Sequence, residues 1–240
     1  MMNYKAIATE FNPGFNLPNY LTRNRLLHGI AKYIPLLKGR MMDFGCGSKP
    51  YQSLFTVEKY VGVDYNSPGH PHLNEEIDVY YDGKKIPFEN EYFDSVFTSE
   101  VFEHIFNLDE IIKEINRVMK NEAVILMTCP FSICEHEIPN DYARYTSFAL
   151  KYFFEKNGFE ILHQDKTGNS VEVVYQLWMM YIHQHILPYI KHIPILRSVF
   201  RLFTYTFLNC CAVLSSKILP DRKDLYLNNI LVAKKINSLS

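Results

Sequence analysis

The chain has 240 residues, of which 48% are hydrophobic and 21% are charged, and its formal net charge is -1. This composition is typical of a packed globular protein and excludes a disordered or collagen-like chain. Because there is no basic excess to neutralise a row of phosphates, we expect no nucleic-acid partner. Five cysteines without CxxC spacing indicate reduced thiols in the cytoplasm, and the N-terminal residues lack the apolar stretch of a secretory signal.

Short apolar strands alternate with helices along most of the chain. In chain order the predicted elements are a helix over 18–34, strands at 40–45, 60–64, 77–81 and 93–99, a helix over 108–119, a strand at 123–128, a helix that starts at Thr146 or Ser147 and ends before Gly158, and strands at 159–163 and 225–233. Asn107 and Glu110 have the spacing of a capping box at the start of the second helix. The alternation predicts a doubly wound α/β fold, a mostly parallel sheet covered on both faces.

One long helical stretch, 171–219, interrupts this alternation before the last strand. Its two apolar runs, 173–190 and 202–216, contain no Asp, Glu, Lys or Arg. Polar residues in the first run and cations between the runs argue against a membrane span of about 20 apolar residues. The alternatives are a cap over a pocket, a homodimer surface, or peripheral membrane contact with Trp178 at headgroup level. The expected division is an N-terminal helical segment (1–39), an α/β domain (40–170 and 220–240) and the inserted helical segment (171–219).

A glycine-rich turn follows the first strand, where open α/β sheets bind their ligands. Gly45 and Gly47 let a ligand approach the backbone closely. Asp43, just before the turn, would repel a pyrophosphate but suits a cofactor that carries an ammonium and a sulfonium. Asp64 ends the second strand, where a carboxylate can accept both hydrogen bonds of a ribose diol. Asp82 follows the third strand, in a position to reach an adenine amino group.

These segments resemble the class I S-adenosylmethionine-dependent methyltransferases, in particular the type 11-like group. The resemblance is carried by residues 43–47, 61–64, 82–88, 93–94 and 99–104. It implies a seven-stranded Rossmann-like sheet, with the last strand antiparallel beside the sixth, and S-adenosylmethionine as the cofactor. The cofactor-binding residues it implies are Asp43, Gly45, Cys46, Gly47, Asp64, Tyr65, Asp82, Ser99 and Glu100. Many members have a third glycine where this chain has Lys49, so we expect the helix after the turn to begin near Pro50.

Two groups of polar residues are candidates for the acceptor side of the site. Glu100, Glu103 and His104 follow the fourth strand, and a loop over 135–145 follows the fifth. The loop pattern His-Glu-x-Pro-x-Asp-Tyr-x-Arg-Tyr resembles a version of the family found in bacterial glycan-biosynthesis gene clusters, which implies a sugar or lipid-linked glycan acceptor. The candidate bases are His104 and His136, and the candidate acceptor-binding residues are Asp141, Tyr142, Arg144 and Tyr145.

Other roles for these residues stay open. His104 could contact the cofactor without moving a proton, and Asp141 with Arg144 could be an ion pair that locks the loop. The sequence predicts no metal site, because neither of the two closely spaced histidine pairs (70 and 72, 183 and 185) has a carboxylate to complete it.

The predicted function is methyl transfer from S-adenosylmethionine to a small-molecule or glycan acceptor, preferably at oxygen, by a cytoplasmic enzyme. Contact with the inner face of the membrane is one further expectation. The alternative functions are those of an NAD-dependent oxidoreductase or epimerase and of a non-catalytic cofactor-binding protein, since a fold by itself does not determine function.

Overall fold

The computed structural model describes residues 4–65 and 75–236 of the chain. Within these ranges the helices and strands are, in chain order, α1 (Tyr20–Tyr33), β1 (Arg40–Phe44), β2 (Lys59–Tyr65), β3 (Val79–Tyr81), β4 (Phe93–Ser99), α2 (Leu108–Val118), β5 (Met119–Pro130), α3 (Ser147–Lys156), β6 (Phe159–Thr167), α4 (Ser170–Tyr181), α5 (Pro194–Ile218) and β7 (Asn228–Lys235). The predicted alternation of strands and helices is therefore confirmed, and β5 and β6 extend several residues beyond their apolar cores.

The seven strands form one sheet in the order β3-β2-β1-β4-β5-β7-β6. The neighbours from β3 to β5 pair in parallel, whereas β7 runs antiparallel between β5 and β6. The predicted α/β fold and the place of its last strand are thus confirmed. Because the strand order reverses between β1 and β4, a crevice opens there beyond their carboxyl ends, which is where such sheets bind ligands.

Helices cover both faces of the sheet, as the continuous burial of the central strands requires. On one face, α2 buries Leu108, Ile111 and Ile115 against the largest apolar cluster, together with Leu150 of α3. On the other face, α1 packs Leu26, Leu27 and Ile30 against Met41 and Val232 of the sheet. The helix between Thr146 and Gly158 starts and ends as predicted: the Thr146 side chain accepts from the amide of Ala149, and Gly158 has φ +79°.

The connection between β1 and β2 differs from the prediction of a helix near Pro50. Between Phe44 and Lys59 the chain forms the glycine turn and then one 3₁₀ turn, Gln52–Leu54. Lys49 takes φ +53°, a conformation that favours glycine. Lys49, in the left-handed conformation, and Pro50 cannot both belong to a regular helix. Because few residues remain before β2 begins, only a single helical turn fits there. Tyr51 and Leu54 of this turn still fill the core beside α1.

The residues between β6 and β7 form a helical hairpin of α4 and α5, joined by a π turn, Ile182–Ile186, and a 3₁₀ turn, Leu187–Ile190. Its own core consists of Met179, Ile182, Leu187, Tyr205 and Leu208. The Asn169 side chain caps α4 by accepting from the amide of Glu172. The Glu172 carboxylate forms an ion pair with Arg25 of α1, which fixes the hairpin to the α/β domain.

Helix α5 leaves one side exposed along its length. Its 25 residues, with a mean hydropathy of 1.3 in an 18-residue window of which only 17% is buried, meet the length and composition of a membrane span. In the sequence, Arg197 and Arg201 separate two apolar runs, which suggests a break between two helices. In the structure both residues lie within the single helix α5. The opposite side packs Tyr205, Leu208 and Ala212 against the rest of the protein.

Candidate active site

The glycine turn after β1 is held by hydrogen bonds to β2. The amides of Gly45 and Cys46 donate to the Val63 carbonyl at 2.8 and 3.3 Å. Gly45 has φ +72°, and a Cβ added there would lie 2.3 Å from Val101 Cγ2. Glycine is therefore required at position 45 by the backbone and by packing on Val101, and the close approach of the cofactor there stays a prediction. At Gly47, with φ +44°, the nearest atom to an added Cβ is Glu75 Oε1 at 3.8 Å, so this side of the turn is open.

Two carboxylates flank the turn. Asp43 is buried at the end of β1, where the Tyr60 hydroxyl donates to its Oδ2, and burial raises its pKa to about 7. Asp64 Oδ2 accepts from the Gly47 amide at 2.7 Å, and its Oδ1 accepts from the Tyr65 amide at 2.7 Å. A carboxylate has about four acceptor positions, so Asp64 can hold the turn and accept from a diol at the same time.

A cavity of about 920 Å³ opens beyond the carboxyl ends of the central strands. Most of the predicted site residues line this one cavity. The predicted residues that line it are Asp43, Gly45, Cys46, Gly47, Asp64, Tyr65, Ser99, Glu100, His104, His136 and Tyr142. The cofactor half and the acceptor half of the prediction therefore share one cavity, as transfer between two bound molecules requires.

Asp82 is the predicted cofactor-binding residue that does not line this cavity. Its Oδ1 accepts from the amides of Lys84 and Lys85 at 2.9 and 2.8 Å, and these bonds hold its pKa below the usual value. The carboxylate closes a surface turn, as Asp commonly does before glycine. The structure thus places Asp82 outside the cavity, and its contact with adenine stays a prediction. Tyr65 and Tyr81, whose ring centroids are 5.7 Å apart, line the cavity.

Glu100, directly after β4, is fixed by side chains of β5 and β7. Its Oε1 accepts from the Thr128 hydroxyl at 3.1 Å and its Oε2 from the Asn228 amide at 2.9 Å. Burial raises its pKa, and the positive charge of Arg23 opposes that rise. Glu100 also takes φ +57°, a costly conformation for a residue with a side chain, and such strain is concentrated at functional sites.

The two predicted bases meet at the far end of the cavity. The rings of His104 and His136 have centroids 4.9 Å apart and cross at 80°. His104 Nδ1 lies 2.9 Å from the Asn140 carbonyl, and His136 Nδ1 lies 3.3 Å from both the Cys134 carbonyl and Asp141 Oδ2. Because a carbonyl can only accept, these contacts favour the tautomer with the proton on Nδ1 and the lone pair on Nε2, although Arg144 Nη2 also lies 3.4 Å from His136 Nδ1. Burial lowers the pKa of His136, so its ring is neutral near pH 7.

Glu103 lies beneath this histidine pair and is completely buried. Its Oε1 is 3.7 Å from His104 Nε2 and 3.9 Å from His136 Nε2, and it has no hydrogen-bond partner. Its Oε2 faces the Cys129 thiol at 3.8 Å. Burial and the nearby charge of Glu100 raise its pKa well above the usual value.

The 135–145 loop divides its four predicted acceptor-binding residues between two tasks. Tyr142 lines the cavity, and its hydroxyl donates to Asn140 Oδ1. Asp141 and Arg144 form a two-bond ion pair, at 2.5 and 2.6 Å, which holds the pKa of Asp141 well below its usual value. Tyr145 packs against Phe153. Only Tyr142 among the four faces the cavity; the ion pair and Tyr145 hold the loop that carries His136.

Several residues that line the cavity were not predicted. They come from the N-terminal segment and from α4: Glu10, Phe11, Asn19, Thr22, Arg23, Gln176, Leu177 and Met180. These residues are distant in sequence from the glycine turn and from the 135–145 loop, and no local spacing pattern indicates them. They are brought to the site by the packing of α1 against α4, so sequence reasoning had no signal by which to find them.

Residues 42–127 match the family model for a methyltransferase domain. This segment contains the glycine turn, Asp64, Glu100 and the first histidine of the pair. This match identifies a methyltransferase domain in residues 42–127. The match favours methyl transfer over the NAD-dependent alternative. A comparison with curated proteins gives no match.

Solved structures share the fold at low sequence identity. A SAM dependent methyltransferase from Archaeoglobus fulgidus has a TM-score of 0.55 at 18% identity, covering 90% of this chain and 97% of that chain. Phosphoethanolamine N-methyltransferase 2 of Haemonchus contortus, in complex with S-adenosyl-L-methionine, has a TM-score of 0.53 at 19% identity, covering 89% of this chain and 53% of that chain. The cyclase SpnF has a TM-score of 0.53 at 17% identity, covering 89% of this chain and 82% of that chain. Such likeness shows the fold alone.

The methyltransferase domain fits its cofactor, S-adenosylmethionine. Asp43 places a buried acidic group beside the turn, where an ammonium can compensate it. Gly47 leaves the space above the turn open, and Asp64 presents acceptor oxygens at the end of β2. The domain is thus that of a methyltransferase enzyme, whose acceptor is determined by the remaining walls of the cavity.

Proposed function

We propose that the methyltransferase acts on an oxygen atom of a small-molecule, sugar or lipid-linked glycan acceptor. The observation that carries this proposal is the pair of imidazoles that line the cavity together with the glycine turn, of which His136 has a lowered pKa. When bound, S-adenosylmethionine supplies an activated methyl group. A hydroxyl acceptor, unlike an amine that is already neutral, must also lose a proton, and a histidine that is unprotonated near pH 7 can accept it.

His136 is the better placed of the two to accept this proton. Asp141 holds its backbone amide at 3.0 Å and faces its Nδ1 at 3.3 Å, so the ring orientation is fixed and the positive charge that forms would be stabilised. The Asp141–Arg144 pair keeps this carboxylate ionised. His104 then completes the wall of the acceptor end, with its Nδ1 bound to the Asn140 carbonyl.

The test is a panel of acceptors matched in size, in which hydroxyl, amine and carboxylate groups are offered with labelled methyl donor. We expect label in the hydroxyl compounds and loss of transfer in Asp64→Ala. Label in amines with none in hydroxyl compounds would contradict the proposal. A lipid-linked glycan fraction and its delipidated counterpart, tested side by side, then separate a lipid-linked acceptor from a free sugar.

We also propose that the α4–α5 hairpin lies against the inner face of an anionic membrane, with the cavity beside it. Leu177 and Met180 of α4 line the cavity, whereas Trp178 and Tyr181 of the same helix are exposed and stacked. On α5 the exposed apolar side chains recur at helical spacing: Ile195, Val199, Phe203, Phe207, Leu214 and Ile218. A helix with one long exposed apolar side, whose other side packs on the protein, is typical of one that lies in the membrane interface.

The charge of the hairpin favours an anionic lipid surface over a protein partner. From 173 to 220 there is no Asp or Glu, while Lys191, Arg197, Arg201 and Lys217 are present. Each basic residue near an anionic membrane contributes about 1 kcal/mol to binding. The packed side of α5, with Tyr205, Leu208 and Ala212 on the protein, favours an interfacial position over a span.

Flotation with vesicles tests this placement. We expect the protein to float with vesicles that contain phosphatidylserine, less at high salt, and not with neutral vesicles. Replacing Phe203 and Phe207 by Glu should abolish flotation, whereas Phe148→Glu, at an 80% exposed position on α3, should not. A protein that does not float, and that changes from dimer to monomer in the Phe203/Phe207 variant, would assign the surface to a homodimer instead.

A further inference from the structure

Three side chains of types that can ligate a metal, two adjacent in sequence and one from a separate loop, converge beside the cavity. Glu103, His104 and His136 each present one ligand atom, and these atoms lie within 4.8 Å of one another. The sequence did not pair them, because the first two follow β4 and the third is in the loop after β5. Among the described residues this cluster combines two imidazole nitrogens with a carboxylate oxygen.

The separations between these atoms are too long for hydrogen bonds. Glu103 Oε1 lies 3.7 Å from one Nε2 and 3.9 Å from the other. Ligands on a common zinc-like ion, at bonds of about 2.0–2.2 Å, stand about 3.3–3.6 Å apart. An ion would therefore shorten the two Glu103–histidine separations by only a few tenths of an ångström. Because the three atoms lie within 4.8 Å of one another, the histidine nitrogens would approach each other by up to about 1.5 Å, through movement of the loop carrying His136.

The orientation of both imidazoles is that of metal-bound histidine. Each Nδ1 faces a backbone carbonyl, that of Asn140 for His104 and that of Cys134 for His136, and His136 also has Asp141 Oδ2 at 3.3 Å. Such an outer partner fixes the tautomer and directs the Nε2 lone pair toward the metal. Here both Nε2 atoms lie within 3.9 Å of the same carboxylate oxygen.

Glu103 provides an independent observation. Its Oε1 is fully buried, faces both histidines and has no hydrogen-bond partner. A buried carboxyl without a partner costs the protein free energy. A cation bound at Glu103 Oε1 would supply the missing partner and balance the negative charge of the carboxylate.

We propose that Glu103, His104 and His136 bind a divalent transition-metal ion such as Zn²⁺, whose remaining coordination positions face the cavity. Two imidazoles and one carboxylate with open positions form a donor set that suits zinc and its neighbours and not Mg²⁺ or Ca²⁺, which prefer oxygen ligands. His104 and His136 line the cavity, so the open positions would receive oxygen atoms of the acceptor.

This inference deepens the proposed function, on which it rests for the class of acceptor. A coordinated hydroxyl loses its proton more readily, since a bound cation stabilises the alkoxide, and that proton leaves to water in the open cavity. The ion then replaces His136 as the means of removing the proton, because both roles use the same Nε2 lone pair. Glu137 Oε2, 3.8 Å from His104 Nε2, provides a further oxygen on the cavity side.

The test is metal binding by the full chain, without a histidine tag and after treatment with a chelator. Calorimetry with ZnCl₂, and metal analysis after desalting, should give one Zn²⁺ per chain and no binding of Mg²⁺. Co²⁺ should give the visible absorption of a nitrogen- and oxygen-ligated site. Glu103→Gln and His136→Asn should each weaken Zn²⁺ binding at least about tenfold, the lower range measured when metal-site residues are removed.

His185→Gln is the matched control, because His185 is exposed on the helical hairpin and stacks only on Tyr181 among its ring neighbours. It should bind Zn²⁺ as the unchanged chain does. If Glu103→Gln fails to fold, His136→Asn on the surface loop decides the question. Absent Zn²⁺ binding, or equal binding by His136→Asn and His185→Gln, would overturn the metal site. Binding of S-adenosylhomocysteine, measured in the same samples, reports separately whether the methyltransferase assignment holds.

Discussion

The protonation of Asp43 should control the affinity of the cofactor site. Burial, with a smaller contribution from the charge of Asp64, raises the pKa of this carboxyl to about 7, against the opposing effects of the Tyr60 hydrogen bond and of Lys49. An ammonium placed beside Asp43 favours the ionised carboxylate, since opposite charges stabilise each other. The affinity for S-adenosylhomocysteine should therefore increase as the pH rises through 7.

The size of this effect follows from the fraction of ionised Asp43. With a pKa of about 7, about one molecule in eleven is ionised at pH 6 and about ten in eleven at pH 8, so the affinity should rise about tenfold. The stability of the folded protein changes with pH in the opposite direction. Because the folded-state pKa lies above the ordinary value, ionisation of Asp43 destabilises the ligand-free protein progressively between about pH 4 and 7.

Calorimetric titrations with S-adenosylhomocysteine at pH 6, 7 and 8 measure this dependence. Asp43→Asn keeps the shape of the side chain and cannot ionise, so it should bind weakly at all three pH values. Lys49→Gln is a useful second variant, because Lys49 lowers the pKa of Asp43 without lining the cavity. An affinity that is the same at pH 6 and 8, and unchanged in Asp43→Asn, would refute the assigned role of this carboxylate.

Three further predictions concern the turn, the ribose and the proton. Asp64→Ala should weaken S-adenosylhomocysteine binding by about 1.5–3 kcal/mol, the range for hydrogen bonds to a charged group, and calorimetry on the folded variant will check it. Gly45→Ala should lower the melting temperature, because of φ +72° and the contact with Val101, and adding Val101→Ala should restore part of the loss; full stability in Gly45→Ala would contradict this packing. At least one of His104→Ala and His136→Ala should lose about 100-fold in turnover with little change in S-adenosylhomocysteine affinity. Normal turnover in both histidine variants would mean that the enzyme acts by aligning donor and acceptor, without either histidine as a base.

The fold was predictable from the sequence because its signals are local. The apolar strands and the amphipathic face of α2 depend on periodicities that a short window contains. The cap at Thr146 and the stop at Gly158 likewise depend on neighbouring residues. The connection after β1 was not predicted, since it depends on how little chain remains between the turn and β2.

The candidate site was predictable only in part, for the same reason. Asp43 and Asp64 are marked by strand ends, which meet at one edge of a parallel sheet. Asp82 also follows a strand, but its carboxylate is used by its own turn, a competition that spacing does not reveal. Arg23 was not predicted, and Glu103 was predicted only as one of a group of polar candidates, because the role of each depends on contacts with distant elements and on burial.

The central claim is that the cavity binds S-adenosylmethionine and not a dinucleotide. Calorimetry of the unchanged protein with S-adenosylhomocysteine and with NAD, beside Asp64→Ala, tests it most directly. The structure predicts one S-adenosylhomocysteine bound per chain, markedly weaker binding by Asp64→Ala, and no heat with NAD. Binding of NAD together with no binding of S-adenosylhomocysteine would contradict it.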